Sequence, residues 1–127
     1  MKLSPLFAAP LLALGLIGCA GMTTAQTPAK AKDGMLTNSA GMTLYTFDKD
    51  AAGSGKSVCN GQCAVNWPPL MAKEGDKAAG DYSIVTRDDG GKQWAYKGKP
   101  LYLWVKDQKP GDKTGDGVNN VWRVAQP

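Results

Sequence analysis

Histidine is absent from all 127 residues of this chain. That absence removes the commonest general base and the commonest transition-metal ligand. Ser-His-Asp and Cys-His catalysis are excluded, as are C-x-x-C-H haem attachment and ordinary zinc and copper enzyme sites. The chain also lacks any concentrated charge. Its net charge of +4 is interspersed, with no run of more than two adjacent basic residues. Nucleic acid is not an expected partner for so diffuse a surface. Convincing helical periodicity is missing throughout, and no apolar run reaches the roughly 20 residues of a membrane span.

The longest apolar run is LFAAPLLALGLIG (6–18), preceded by Lys2 and followed by Cys19. It reads as the h-region of a signal peptide over residues 1–18. Thr23-Thr24-Ala25 offers a mediocre site for ordinary signal peptidase, whereas Leu16-Ile17-Gly18-Cys19 resembles a bacterial lipobox. Cleavage before Cys19 makes that residue the lipidation site, and Ala20 after it leans towards the outer membrane. Residues 19–32 are the lipidated cysteine and a flexible tether. The thirteen residues after Cys19 would reach about 40 Å fully extended and average nearer 20 Å as a coil. With Cys19 acylated, Cys59 and Cys63 remain as an even pair in an oxidising compartment, which favours a disulfide.

From Asp33 the texture changes, and nine of the ten aromatic residues lie between Tyr45 and Trp122. Strand-like runs occur at 35–38, 42–47, 82–86, 92–96, 100–105 and 121–124, with turn signals at RDDGG and at Gly98. Residues 82–105 therefore predict a three-stranded meander. A short helical turn fits QCAVNW (62–67), which Pro68-Pro69 must end. The expected fold is mainly β: one small domain over residues 33–127, built of short antiparallel strands with at most short helical turns.

Within it GMTLYTFDKD (41–50) matches GKPLYLWVKD (98–107) at an offset of 57 residues, and an offset of 55 superposes Trp67 on Trp122. The halves, about 33–72 and 90–127, are expected to pack as a pseudo-twofold pair around shared aromatics. Strand alternation puts Tyr45 and Phe47 on one face and Leu44 on the other, and separates Tyr102 and Trp104 from Leu101 in the same way. Asp50 and Asp107 end these strands, where a carboxylate accepts backbone N–H groups of the following turn; a ligand site of paired Tyr and Asp is the alternative.

These motifs resemble the bacterial secreted-repeat lipoproteins, marked by a repeated Tyr-x-aromatic-x-x-Asp signature. The similarity runs from Met35 to Pro127 through TLYTFDKD, CNGQCA, WPPL, DGGKQWAYKGKPLYLWVKD, PGD and the final Trp-x-Val. It implies an exported, often lipidated protein with two repeats per domain, and no established enzymatic activity.

The remaining motifs carry little chemistry. A disulfide across Cys59 and Cys63 closes a short loop worth about 2 kcal/mol in the chain-entropy account. The alternative is a thiol-redox or Cu(I) site, with Met35, Met42 and Met71 as soft co-ligands. Asp112, Thr114, Asp116 and Gly117 echo a calcium loop, but Arg123 stands where a bidentate Glu is required. GSGKS (53–57) lacks the first glycine of a P-loop. The carboxylates sit in polar turns and not in apolar settings that would raise their pKa. The expectation is a non-catalytic envelope lipoprotein with no cofactor, anchored to the membrane through Cys19. Its partner would be an unidentified protein, ligand or cell-wall component.

Overall fold

The computed structural model describes residues 27–127. Cys19, the signal segment and most of the expected tether lie outside the described residues. Seven short strands follow in order: β1 (Lys30–Lys32), β2 (Met35–Thr37), β3 (Tyr45–Phe47), β4 (Tyr82–Thr86), β5 (Lys92–Tyr96), β6 (Lys99–Pro100) and β7 (Trp122–Val124). One helical turn, α1 (Gln62–Asn66), precedes β4, and a 3-10 turn (Val118–Asn120) precedes β7. The fold is thus mainly β, in short antiparallel pairings. Among the described residues no helix is long and apolar enough to cross a membrane.

Two hairpins open the halves. Asp33-Gly34 joins β1 to β2 with both residues at positive φ (52° and 78°), the backbone of a two-residue type I′ turn. β4 and β5 pair over all five residues of each, around the RDDGG turn. A second positive-φ pair, Lys97-Gly98, then folds β6 back onto β5. The meander is therefore present over 82–100. It does not continue as a ladder to residue 105: after Pro100, only isolated bridges join Tyr102 to Tyr45 and to Pro69. The Pro68-Pro69 segment, which lacks two N–H donors, cannot sustain a regular ladder there. The run expected at 42–47 is likewise shortened to β3.

The expected tether is also too long at its C-terminal end. Lys30–Lys32 form β1, and Ala29 is buried. A Lys-Ala-Lys edge strand, exposed on both sides, carries no hydrophobic pattern by which a sequence could announce it.

The two halves are interlocked. In one, Leu36 N–H donates to Ala125 O, Ala125 N–H to Leu44 O, and Leu44 N–H to Leu36 O, at 2.8–3.0 Å. In the other, Trp94 N–H donates to Leu70 O, Leu70 N–H to Leu101 O, and Leu101 N–H to Trp94 O, at 2.8–2.9 Å. The two triangles correspond at offsets of 58 (Leu36 with Trp94), 57 (Leu44 with Leu101) and 55 residues (Leu70 with Ala125). In each, the last segment of one repeat (Leu70 or Ala125) closes the backbone of the other. β3 pairs with β7 for the same reason.

Strand alternation then produces two cores, one on each side of the central segments. Leu44 and Leu101 project into an aliphatic cluster with Ala29, Leu36 and Ala125. Tyr45 and Tyr102 project the other way, into an aromatic cluster with Trp67, Trp122 and Cys59.

The interlock requires close backbone approach at two equivalent glycines. Gly41 (φ +87°) abuts Pro110, and Gly98 (φ +83°) abuts Gly53, where a Cβ would lie 2.7 Å from the Gly53 nitrogen. Gly34 shares the positive φ but has nothing within 4 Å of its Cβ position. Gly34→Ala is expected to cost about 1–2 kcal/mol, from the backbone alone. Gly98→Ala is expected to cost clearly more, because the two halves must also separate. Urea unfolding of the two variants measures the difference.

Candidate functional site

Tyr45 and Tyr102 meet at the centre of the molecule. Each donates its backbone N–H to the other's carbonyl, at 2.8 and 2.9 Å, so the pseudo-twofold axis passes between them. Their side chains then cross over. The Tyr45 hydroxyl donates to Asp107 Oδ2 at 2.6 Å. The Tyr102 hydroxyl donates to Asp50 Oδ2. The tyrosine of each repeat is therefore satisfied by the aspartate of the other.

The second oxygen of each aspartate organises the polar loop that follows it. Asp50 Oδ1 accepts Val58 N–H at 2.7 Å. Asp107 Oδ1 accepts both the N–H (3.0 Å) and the hydroxyl (2.6 Å) of Thr114. Both carboxylates are buried, 6% and 8% exposed. They hold loops whose far ends deliver Trp67 and Trp122 to the aromatic cluster.

Burial is the main reason both phenols have pKa values pushed well above their ordinary range; the bond to Asp107 adds to it at Tyr45, and the bond to Asp50 at Tyr102. Burial also raises the Asp50 carboxyl, against the opposing effects of the Tyr102 hydroxyl, Val58 N–H and the Arg87 charge.

Arg87 is a member of this network that the sequence did not reveal. It begins the RDDGG turn, yet it is 4% exposed. Its Nη1 donates to Ser57 Oγ (3.0 Å) and Gln93 Oε1 (2.7 Å), and its Nη2 to Cys59 O (2.6 Å). Ser57 Oγ in turn lies 2.6 Å from the Tyr102 hydroxyl. A buried cation is thus linked through two hydroxyls to the Asp50 carboxylate, a compensation that burial of either charge requires. No local pattern distinguishes Arg87 from a solvated turn residue. Ser57, from the P-loop-like GSGKS, has its place here.

The aromatic rings form a ladder. Trp104 stacks on Trp67 at 3.9 Å between centroids, Trp67 on Trp122 at 3.7 Å, and Trp122 on Phe47 at 4.2 Å. The axis passes between Trp67 and Trp122, with the equivalent residues Phe47 and Trp104 at the two ends. Tyr45 stands edge-on to Trp67 (5.4 Å) and Tyr102 edge-on to Trp122 (5.1 Å). Gly115 lies against this ladder, where a Cβ would fall 2.7 Å from the Trp67 ring.

Cys59 and Cys63 form a disulfide, with Cα atoms 5.2 Å apart. It pins the loop that enters α1 and presents Cys59 O to Arg87. The equivalent 3-10 turn of the second half has no such staple and contains Asn119 at φ 51°, with Asn120 at φ 60° just after it. Neither sulfur of a disulfide is a thiolate. Of the methionines expected as soft co-ligands, Met35 is buried in β2, Met42 half-buried and Met71 exposed. No group of three or more His, Cys, Asp or Glu suited to a metal occurs among the described residues.

The calcium-like loop is occupied by its own chain. Asp112 accepts Gln108 and Lys109 N–H groups and pairs with Lys109 Nζ at 2.8 Å, and Asp116 accepts Val124 N–H. Arg123 pairs with Asp48 at 3.0 Å.

Two open depressions flank the network. One, of about 420 Å3, is lined by the half-buried Phe47 and by Lys49, Cys63 and Asn66, with the buried Trp67 and Trp122 beneath. The other, of about 550 Å3, is lined by Asp48, Tyr96, Lys97, Lys99, Asp116 and Arg123, among others.

The phenols set a pH dependence. A group whose folded pKa is raised contributes stability that is complete below its unfolded value and lost as pH climbs towards the folded one. For tyrosine the unfolded value is about 10. Stability should therefore hold through neutral pH and fall steeply above about pH 10. Asp50 has the same sign but titrates from the ordinary carboxylate value of about 4, so its contribution is already lost at neutral pH and is regained on acidification. Tyr45→Phe and Tyr102→Phe should each cost about 1.5–3 kcal/mol, as expected for loss of a hydrogen bond to a charged group, and each should flatten the alkaline limb. Urea midpoints from pH 6 to above pH 11 check all of this.

A family model described as a secreted repeat of unknown function matches residues 27–71 and 83–126. These two spans begin with β1–β2 and with β4–β5, so each repeat starts at its hairpin and ends at its exchanged strand. Neither the curated proteins nor the solved structures contain a match to the chain.

Proposed function

The chain belongs to the family of secreted repeats of unknown function, and from that premise we propose that it is a non-catalytic binding module of the bacterial cell envelope. It is tethered to the membrane through lipid on Cys19, with its two-repeat head standing clear of the surface. The observation that carries this reading is the closure of the Tyr–Asp network. The Tyr–Asp acids and phenols are buried and bonded to one another across the axis. What faces solvent is a depression where the half-buried Phe47 lies with Lys49, Asn66 and Asn119. An aromatic ring beside amide and ammonium groups suits a partner that is apolar at its centre and polar at its margin.

The disulfide supports a scaffolding part for the cysteines, since it orders the loop on one wall of that depression. In freshly isolated protein, alkylation followed by mass spectrometry should find no free thiol at Cys59 or Cys63. Free thiols, or copper retained in stoichiometric amount after dialysis, would transfer the site to the metal- and redox-handling class. Reduction of the pair should cost about 2 kcal/mol. Cys19→Ser should move the protein from the membrane to the soluble fraction. An anchored Cys19→Ser protein would show that the lipid reading is mistaken.

A further inference from the structure

Aromatic pairs commonly sit with centroids about 4.5–7 Å apart, whereas Trp104, Trp67 and Trp122 form one nearly parallel column with centroids only 3.9 and 3.7 Å apart. Parallel indole faces at van der Waals separation give direct overlap of their π orbitals. Beside the inner two indoles stand the only two phenols of the cluster, and each is hydrogen-bonded to a buried carboxylate. A stack of easily oxidised rings and a pair of phenols with proton acceptors already in place are two independent features. They coincide here.

We propose that this cluster is a one-electron relay, in which oxidising equivalents enter at Trp104 and are delivered through Trp67 and Trp122 to Tyr45 and Tyr102 as neutral phenoxyl radicals. The oxidant is a soluble one-electron acceptor, either a radical or a high-potential metal complex. It takes one electron from the Trp104 indole, leaving a radical cation. An electron from Trp67 restores Trp104 and moves the vacancy inward, where Trp67 and Trp122 share it. Either Tyr45 then gives an electron to Trp67 while its phenolic proton crosses to Asp107 Oδ2, or Tyr102 gives one to Trp122 while its proton passes to Asp50 Oδ2. The oxidant has gained one electron, the indoles are intact, and one tyrosine–aspartate pair holds a phenoxyl radical and a carboxylic acid. A one-electron reductant reverses the last step, and the proton returns to the phenol.

The charges around the ladder give this transfer its direction. Lys106 Nζ lies 5.8 Å from the Trp104 ring centroid, so a positive vacancy is least stable at the half-buried entry ring. The carboxylates of Asp50 and Asp107 stand at the inner phenols, where a vacancy is most stable. Phe47 closes the opposite end of the column. A phenyl ring is far harder to oxidise than an indole, so entry from that side is blocked. Both phenols are protonated at neutral pH, as any tyrosine is, and a protonated phenol surrenders its electron here because an acceptor for its proton is already bonded.

Photo-oxidation of the mature, disulfide-intact protein by a ruthenium polypyridyl sensitiser with persulfate tests the relay by transient absorption. The wild type should show an indole radical that decays as a tyrosyl radical grows, and the growth should be slower in heavy water. Tyr45→Phe and Tyr102→Phe singly should each lose one of two tyrosyl populations, and the double variant should lose tyrosyl growth while its indole radical persists. Asp50→Asn with Asp107→Asn keeps the hydrogen-bonding shape but removes the proton acceptors. It should abolish the growth phase. Trp104→Phe should lower the yield of both radicals. The inference is overturned if the wild-type indole radical decays without tyrosyl growth. It is equally overturned if tyrosyl growth survives in the double Tyr→Phe variant, which would place it on the partly exposed Tyr82 and Tyr96, or if the double Asp→Asn variant matches wild type in rate and isotope sensitivity. Should the double Tyr→Phe variant not fold, the single variants and the heavy-water comparison decide the question.

Discussion

Each repeat of this domain places, just after its central segment, an aspartate that it does not use for its own tyrosine. The carboxylate reaches across the axis instead, and the phenol it receives is buried beyond the reach of water. A buried carboxylate without a donor would cost several kcal/mol, as would a buried phenol with no acceptor. The two halves can therefore meet these costs only together. The same carboxylates fix the loops that carry Trp67 and Trp122, so the crossed bonds and the aromatic column share their supports. The aliphatic core on the other side of the strands follows from simple alternation.

The departures from symmetry are concentrated in one half. The loop after Asp50 carries the disulfide, the regular helical turn α1 and the carbonyl that accepts Arg87. Its counterpart after Asp107 has no cysteine and carries a 3-10 turn containing a positive-φ asparagine. Arg87 needs several acceptors at fixed positions, since a buried guanidinium that lacks them is costly. The staple holds one of them in place. This gives the single disulfide a physical reason that the duplicated motif alone does not.

Much of this was legible in the chain because its signals are local. Alternation of Leu44 with Tyr45 and of Leu101 with Tyr102 places two faces on two cores without any knowledge of the fold. Gly98 marks a turn because few residues tolerate its backbone, and the offset of the repeats pairs Trp67 with Trp122. Other features depend on distant partners and left no local trace. β1 is a Lys-Ala-Lys edge whose strand state is decided by Met35–Thr37 opposite it. Arg87 looks like a turn residue until residues 57–60 are brought over it. That Tyr45 should choose Asp107 and not Asp50 is invisible to any reading of one repeat alone, because both halves carry the same motif.

The exchange of closing strands also bears on the timing of folding. The first half has no complete backbone triangle until Ala125 is available to accept from Leu36 and donate to Leu44. Most of the chain must therefore exist before its earliest strands can settle, an arrangement of high contact order that folds slowly. A chain whose first half waits for its last strand cannot close that half until synthesis is nearly complete.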